Sequence, residues 1–252
     1  MTPTPERPDP GADLFARFAY APNDLGYCGP PDATALASGS PERIRAAAHR
    51  FTGAWPYLAV MAEMTGIADP LDERLVRAYW LGGGMGADLD GARFLDGLLA
   101  RIGPVAGPYW HHLTADLTPE AAPNHAFHVF AVYPWSRLLG RGPQPLHVLD
   151  SCRITWGTVL TRTDCEVEVS AQQLLWDGRS LYLSEPRPTR AVLDPIPPTL
   201  ATHAEPGDRV AIHWGRVCAH LDHAQVENLA AATTRQLAAT NRRLTDTSGP
   251  AR

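Results

Sequence analysis

Apolar residues in the first 122 positions recur at the three-to-four spacing of helices that face a core. Ser40-Pro41-Glu42 reads as an N-cap with proline at the first helical position, opening a helix through Ile44, Ala47 and Phe51. Trp55-Pro56 kinks or restarts it ahead of Leu58, Met61 and Met64, because proline inside a helix loses a hydrogen bond and clashes with the preceding turn. A second helix is expected from Asp69-Pro70 to Trp80, stopped by Gly82-Gly83-Gly84. A third runs from Asp88 to Ile102, with Phe94, Leu95, Leu98 and Leu99 on one face and Gly103-Pro104 as its stop.

From His125 the period changes. His125 to Tyr133 is rich in β-formers and reads as a strand ended by Pro134. Gly140 to Pro145 is a short linker, which divides a mainly helical domain (11–142) from a second domain (143–245). Strands are expected at Leu146–Leu149, Cys152–Arg162, Glu166–Leu175, Ser180–Ser184 and Arg209–Trp214, with Asp177-Gly178 as the strongest turn signal. An amphipathic helix closes the chain, with Asp222 and Gln225 in capping-box spacing and Val226, Leu229, Thr233 and Leu237 on one stripe. The expected class is α+β: a helical half, then a small closed barrel with a helix packed against it. Residues 1–10, four of them proline, are expected to form a Pro-rich disordered tail that samples polyproline geometry.

Composition narrows the chemistry. All 22 basic residues among 252 are Arg, so no lysine is present for a Schiff base, a P-loop or a kinase-type phosphate contact. Twenty-seven acidic residues give a net charge of −5, which lacks the basic footprint of a nucleic-acid binder. No apolar run approaches the ~18 residues of a membrane span, and the N-terminus has neither the basic nor the apolar region of a signal peptide. Cys28, Cys152, Cys165 and Cys218 are too few and too scattered for a disulfide scaffold, so a cytoplasmic protein with free thiols is expected. Gly-x-Ser-x-Gly, Cys-x-x-Cys and His-Glu-x-x-His are all absent. Gly82-Gly83-Gly84-Met85-Gly86 follows a helix rather than a strand, so it reads as a connection and not as a dinucleotide loop.

The most specific pattern is in the second half. Cys152-Arg-Ile-Thr-Trp-Gly157 leads into Thr158-Val159-Leu160; later come Pro206-Gly-Asp-Arg-Val-Ala-Ile-His213-Trp-Gly215 and then Val217-Cys218-Ala-His-Leu221-Asp222. Over roughly residues 148 to 242 this layout resembles the HypC/HupF family of iron chaperones in NiFe-hydrogenase maturation. The resemblance places Cys152 on that family's iron-binding cysteine, Gly157 on its glycine, Gly207-Asp208 on its turn and His213 on its assisting histidine. It implies an OB-like barrel that carries iron with CN and CO ligands between partners, here the hydrogenase large subunit or a maturation scaffold protein. The whole chain, with Asn23-Asp-Leu-Gly-Tyr-Cys-Gly-Pro30, is also similar to an uncharacterised actinobacterial family associated with hydrogenase accessory genes.

Apart from any family, a thiolate and an imidazole suit low-spin iron, and two protein ligands leave positions open for a carrier's cargo. The plainer reading makes Cys152 a buried thiol and His213 a core histidine. Cys28, in the turn Gly26-Tyr27-Cys28-Gly29-Pro30, is a candidate third ligand, or a nucleophile whose pKa a nearby helix N-terminus would lower. His125 and His128, three apart on a strand, would face opposite sides and could not chelate together unless the segment were helical. Adjacent His111 and His112 can direct at most one ring at a site. Cys165 is expected at a hairpin tip and Cys218 in packing. Three functions stay open: an iron-carrying accessory protein that need not turn over substrate, an acyl or carbamoyl transferase or hydrolase using Cys28 with His213 or His128, and a metal-free structural adaptor.

Overall fold

The computed structural model describes residues 9–105, 107, 110–193 and 203–247. The chain is mixed α+β, with helices first, a sheet in the second half and a helix at the end. Most of the expected tail, residues 1–8, lies outside the described residues. Asp9 and Pro10 do not continue it: Asp9 caps helix α1 (Pro10–Asp24) by accepting from Ala12 N at 3.1 Å, with Pro10 in its first turn. Helix α1 is buried on nearly every side, from Ala12 and Phe15 to Phe18 and Ala21, so other elements wrap around it. A Cβ on Gly11 would lie 1.7 Å from the Leu71 carbonyl oxygen, so only glycine permits that approach.

Helices α2 (Thr34–Ala37), α3 (Pro41–Ala48), α4 (Trp55–Thr65), α5 (Glu73–Leu81) and α6 (Gly91–Ile102) follow. Proline opens α3 and α4 within the first turn. Helix α5 starts later than the pattern predicts, because Asp72 accepts from Arg74 N and caps it there. Asp90 does the same for α6 through Arg93 N. Gly82 and Gly83 sit against α9 (His223–Thr247); a Cβ on Gly83 would fall 2.3 Å from the Asn228 side chain.

Two stretches expected as strands are helical. Residues 125–132 form a short helix, α7 (His125–Phe127), that runs into a π-helical turn over His128–Val132. Asn124 caps it by accepting from Phe127 N at 3.1 Å. All of Phe127 to Val132 is buried, and a run with no polar face cannot distinguish strand from helix by period. Leu146–Leu149 belongs to helix α8 (Gln144–Cys152), which Pro145 opens. Cys152 therefore ends a helix rather than beginning a strand.

The sheet consists of β1 (Thr155–Arg162), β2 (Glu166–Ala171), β5 (Arg187–Val192), β7 (Arg216–His220) and β6 (Arg209–His213), hydrogen-bonded in that order and closed by β6 against β1. Every pairing is antiparallel except β5 with β7. Val159, Val167, Val169, Val210 and Val217 fill its interior. Gly157 is required in β1, since a Cβ there would lie 2.2 Å from the Ser170 carbonyl oxygen. Strands β3 (Leu174–Trp176) and β4 (Leu181–Leu183) form a separate hairpin, whose turn Asp177 holds by accepting from Arg179 N and Ser180 N.

Helix α9 begins as its capping residues imply: Gln225 N donates to Asp222 at 2.8 Å, and Asp222 N donates to Gln225 at 3.0 Å. Leu229, Thr233 and Leu237 are buried beneath it. Glu120, 5% exposed, accepts from Arg243, Gln236 and Thr240 of α9, while Arg243 also donates to the Phe130 carbonyl. The last helix is thereby bolted to the π-helical turn. One buried apolar cluster joins α1, α4, α5 and α6 to Ala211, Cys218 and Leu229, so core contacts cross residue 142. Among the described residues, no helix is long and apolar enough to cross a membrane.

Candidate metal centre

Three ends meet beside α1: the first residue of α7, the last of α8 and the last of β6. They carry His125, Cys152 and His213. The β6–β7 turn passes through Trp214 and Gly215, both with positive φ, of 50° and 72°. Trp214 N then donates to the Ser151 carbonyl at 2.9 Å, which ties this turn to the end of α8. A left-handed conformation is uncommon for a bulky residue such as Trp, and here it sets His213 next to Cys152.

One ligand atom from each of His125, Cys152 and His213 lies within 4.8 Å of the other two, and all three residues are buried. Cys152 Sγ is 3.8 Å from His125 Nε2. His213 Nδ1 donates to the Phe18 carbonyl oxygen at 2.7 Å, which leaves Nε2 as the ring's lone pair; that atom is buried and has no protein partner. A metal-binding histidine is ordinarily held in this way, its second nitrogen fixed by a carbonyl. His125 Nε2 is 2.9 Å from the Cys152 carbonyl, and its Nδ1 is 3.2 Å from the Tyr79 hydroxyl. The carbonyl can only accept, so Nε2 carries the proton here and Nδ1 accepts from Tyr79; to ligate, His125 would have to give up its bond to the Cys152 carbonyl and pass that proton to Nδ1, where the Tyr79 hydroxyl can accept it.

The surroundings keep every group neutral. Burial pushes the Cys152 thiol far above its ordinary range, with nearby Cys28 adding to the rise. Burial likewise holds His125 well below its usual value and lowers His213 to about 4 and His128 to about 3. No carboxylate or guanidinium lines the cavity among these side chains. A bound metal cation would supply a countercharge for a Cys152 thiolate there. One sulfur and two imidazole nitrogens suit iron, zinc, copper and nickel better than magnesium or calcium. Three protein ligands leave a coordination position open. The adjoining cavity, about 20 Å³, is of the size that holds a single small molecule such as water.

Cys152 and His213 are thus brought together, with His125 as their third member. His125 lies on a helix and not on the expected strand; helical geometry turns it inward, and the Asn124 cap is the local signal that marks it. His128 stacks on His125 at 5.8 Å between ring centroids but stands outside the three-residue cluster. Cys28 lines the same cavity and pairs with the Tyr133 hydroxyl. It follows the C-terminal end of α1, not a helix N-terminus, and burial raises its thiol to about 11 rather than lowering it. His112 bonds the Val132 carbonyl at 2.8 Å. Neither His111 nor His112 joins the cluster. Cys165 is exposed at the β1–β2 turn, and Cys218 is buried in β7. Gly207, with φ of 96°, and Asp208, accepting from Glu205 N at 2.8 Å, form the expected turn before β6.

The chain matches the model of a family of unknown function, DUF6390, over residues 7–247, and it belongs to that family. No curated protein matches it, and no solved structure does.

Proposed function

We propose that this member of the family is a metallocentre accessory protein that binds one iron ion through Cys152, His125 and His213 and serves the assembly of a NiFe-hydrogenase. The observation that carries the reading is the convergence of three ligand atoms within 4.8 Å, with His213 already in its ligating tautomer. Bound iron would supply a Lewis-acidic centre with positions free for diatomic ligands. The protein's part is to hold it: the Phe18 carbonyl and the Tyr79 hydroxyl set the two rings, and Trp80 packs against both, at 4.7 and 5.6 Å between centroids.

The hydrogenase connection is supported by the motif resemblance at Cys152, Gly157, Gly207-Asp208 and His213. It also draws support from strand order. With the β3–β4 hairpin set aside, the sheet runs first-second-third-fifth-fourth strand and closes on the first, a Greek-key order in keeping with an OB-like barrel. Cys152 is only 6% exposed, so the cargo sits inside rather than on the surface. Release to a large subunit or scaffold would require displacing the Tyr27–Trp214 stack, whose rings are 4.0 Å apart beside a 260 Å³ cavity that reaches Cys152.

The test is metal analysis with infrared spectroscopy on protein purified anaerobically from hydrogenase-expressing cells. Wild type should carry about one iron per chain with cyanide and carbonyl stretches, and Cys152→Ala should lose both. Another metal held by the same residues would overturn the iron assignment, and metal-free wild type would leave a structural adaptor.

A further inference from the structure

Five aromatic residues from four segments of the chain wall the 260 Å³ cavity: Tyr27, Trp110, Tyr133, Trp135 and Trp214. The rest of its described wall is proline, valine and the Cys28 and Cys152 thiols, with no charged side chain. Burial raises both thiols, so they stay protonated. None of the five aromatic residues is fully buried, and Tyr27 is 39% exposed. Trp214 adds an independent observation. Among the described residues it is the one non-glycine residue with positive φ, 50°. That backbone is strained for a bulky side chain, and glycine would make the same turn without the strain. The β6–β7 turn therefore accounts for the backbone at this position but not for the indole. The indole ring lies on the Tyr27 ring, 4.0 Å between centroids and 29° between planes, where both line the cavity.

We propose that this cavity binds a flat, uncharged compound of two fused aromatic rings, which packs against the Tyr27–Trp214 pair and the three other aromatic side chains. The size fits: a cavity of roughly 150 Å³ holds benzene, and this one has room for a second ring. A flat aromatic compound is favoured over a puckered one, because aromatic pairs gain from offset-stacked or edge-to-face contact beyond the area they bury. An anion is excluded, because no cation on the wall would replace its water, and a nucleobase would leave several donors and acceptors unpaired. A cation would gain from the ring faces but finds no carboxylate in the wall to offset its lost hydration. The cavity meets the metal cluster at Cys152 alone, with His125 and His213 outside its wall, so binding does not require the metal.

The experiment is calorimetric titration of the full chain with 2-naphthol, decahydro-2-naphthol and 2-naphthoate, which separate flatness from charge on one two-ring frame. 2-Naphthol should bind at one saturable site, at least roughly tenfold tighter than its saturated analogue, and 2-naphthoate should not bind. Trp214→Gly removes the ring and relieves the strained turn, so the fold should hold while naphthol affinity falls at least roughly tenfold. Tyr27→Ala, at a half-exposed position, should weaken binding in the same way. Neither residue lines the neighbouring 220 Å³ cavity, which shares Trp110 and Tyr133, so a loss in these variants places the compound here. Equal affinity for naphthol and its saturated analogue, naphthoate binding as tightly as naphthol, no saturable naphthol binding at millimolar concentration, or unchanged naphthol affinity in either folded variant would each overturn the proposal. If Trp214→Gly does not fold, Tyr27→Ala decides it.

Discussion

Acidifying the metal-free protein from pH 7 to pH 5 should remove most of its stability, and the reason lies in the three histidines beside Cys152. His125, His128 and His213 are each 1–4% exposed and stay neutral when folded, with His213 lowered to about 4 and His128 to about 3. In the unfolded chain each titrates near its ordinary value of about 6.5. Below that value the unfolded state binds protons that the folded state refuses, so stability falls as pH falls, down to the folded pKa of each ring. At pH 5 this amounts to about 2 kcal/mol per histidine and ~6 kcal/mol for the three together. Total stabilities of about 5–15 kcal/mol make that loss decisive. His112, also held below its usual value by burial, adds a smaller share of the same sign. The assay is urea unfolding followed by far-ultraviolet circular dichroism at pH 7, 6 and 5, on wild type and His128→Gln. The variant should lose about a third of the pH dependence. Wild-type stability that is flat between pH 7 and 5, or an undiminished slope in His128→Gln, would refute the neutral buried cluster.

Three further outcomes follow from the same geometry. Because Cys152 must shed a proton to ligate while the histidines are already neutral, cobalt(II) affinity should rise about tenfold per pH unit between pH 6 and 8; a hundredfold rise would mean that Cys28 ligates as well. Glu120→Ala should destabilise the protein by roughly 3 kcal/mol in urea unfolding, because it removes the buried carboxylate that accepts from Arg243, Gln236 and Thr240 of α9. In native protein at pH 8, iodoacetamide should modify exposed Cys165 first, with Cys28, Cys152 and Cys218 protected until urea is added, as intact-mass spectrometry would show.

What could be read from the sequence was what local chemistry writes. Pro41 and Pro56 start helices, Asp177-Gly178 turns a hairpin, and Asp222 with Gln225 caps the last helix; each signal lies within a few residues of its effect. The buried run at 127–132 is helical despite its β-forming composition, because its fate depends on being enclosed on all sides, which no spacing records. Its helical course is what brings His125 beside Cys152 and His213. Cys152 and His213 were legible as a pair only through motif resemblance. Their approach rests on long-range ties, Trp214 N to the Ser151 carbonyl and His213 to the Phe18 carbonyl, whose partners are up to 195 positions apart.

The most direct measurement is X-ray absorption at the metal edge of protein loaded with iron under anaerobic conditions. The account predicts one sulfur near 2.3 Å and two imidazole nitrogens near 2.0 Å, about the usual lengths for such donors, with the sulfur lost in Cys152→Ala. A first shell of oxygen and nitrogen without sulfur, or one unchanged in that variant, would contradict it.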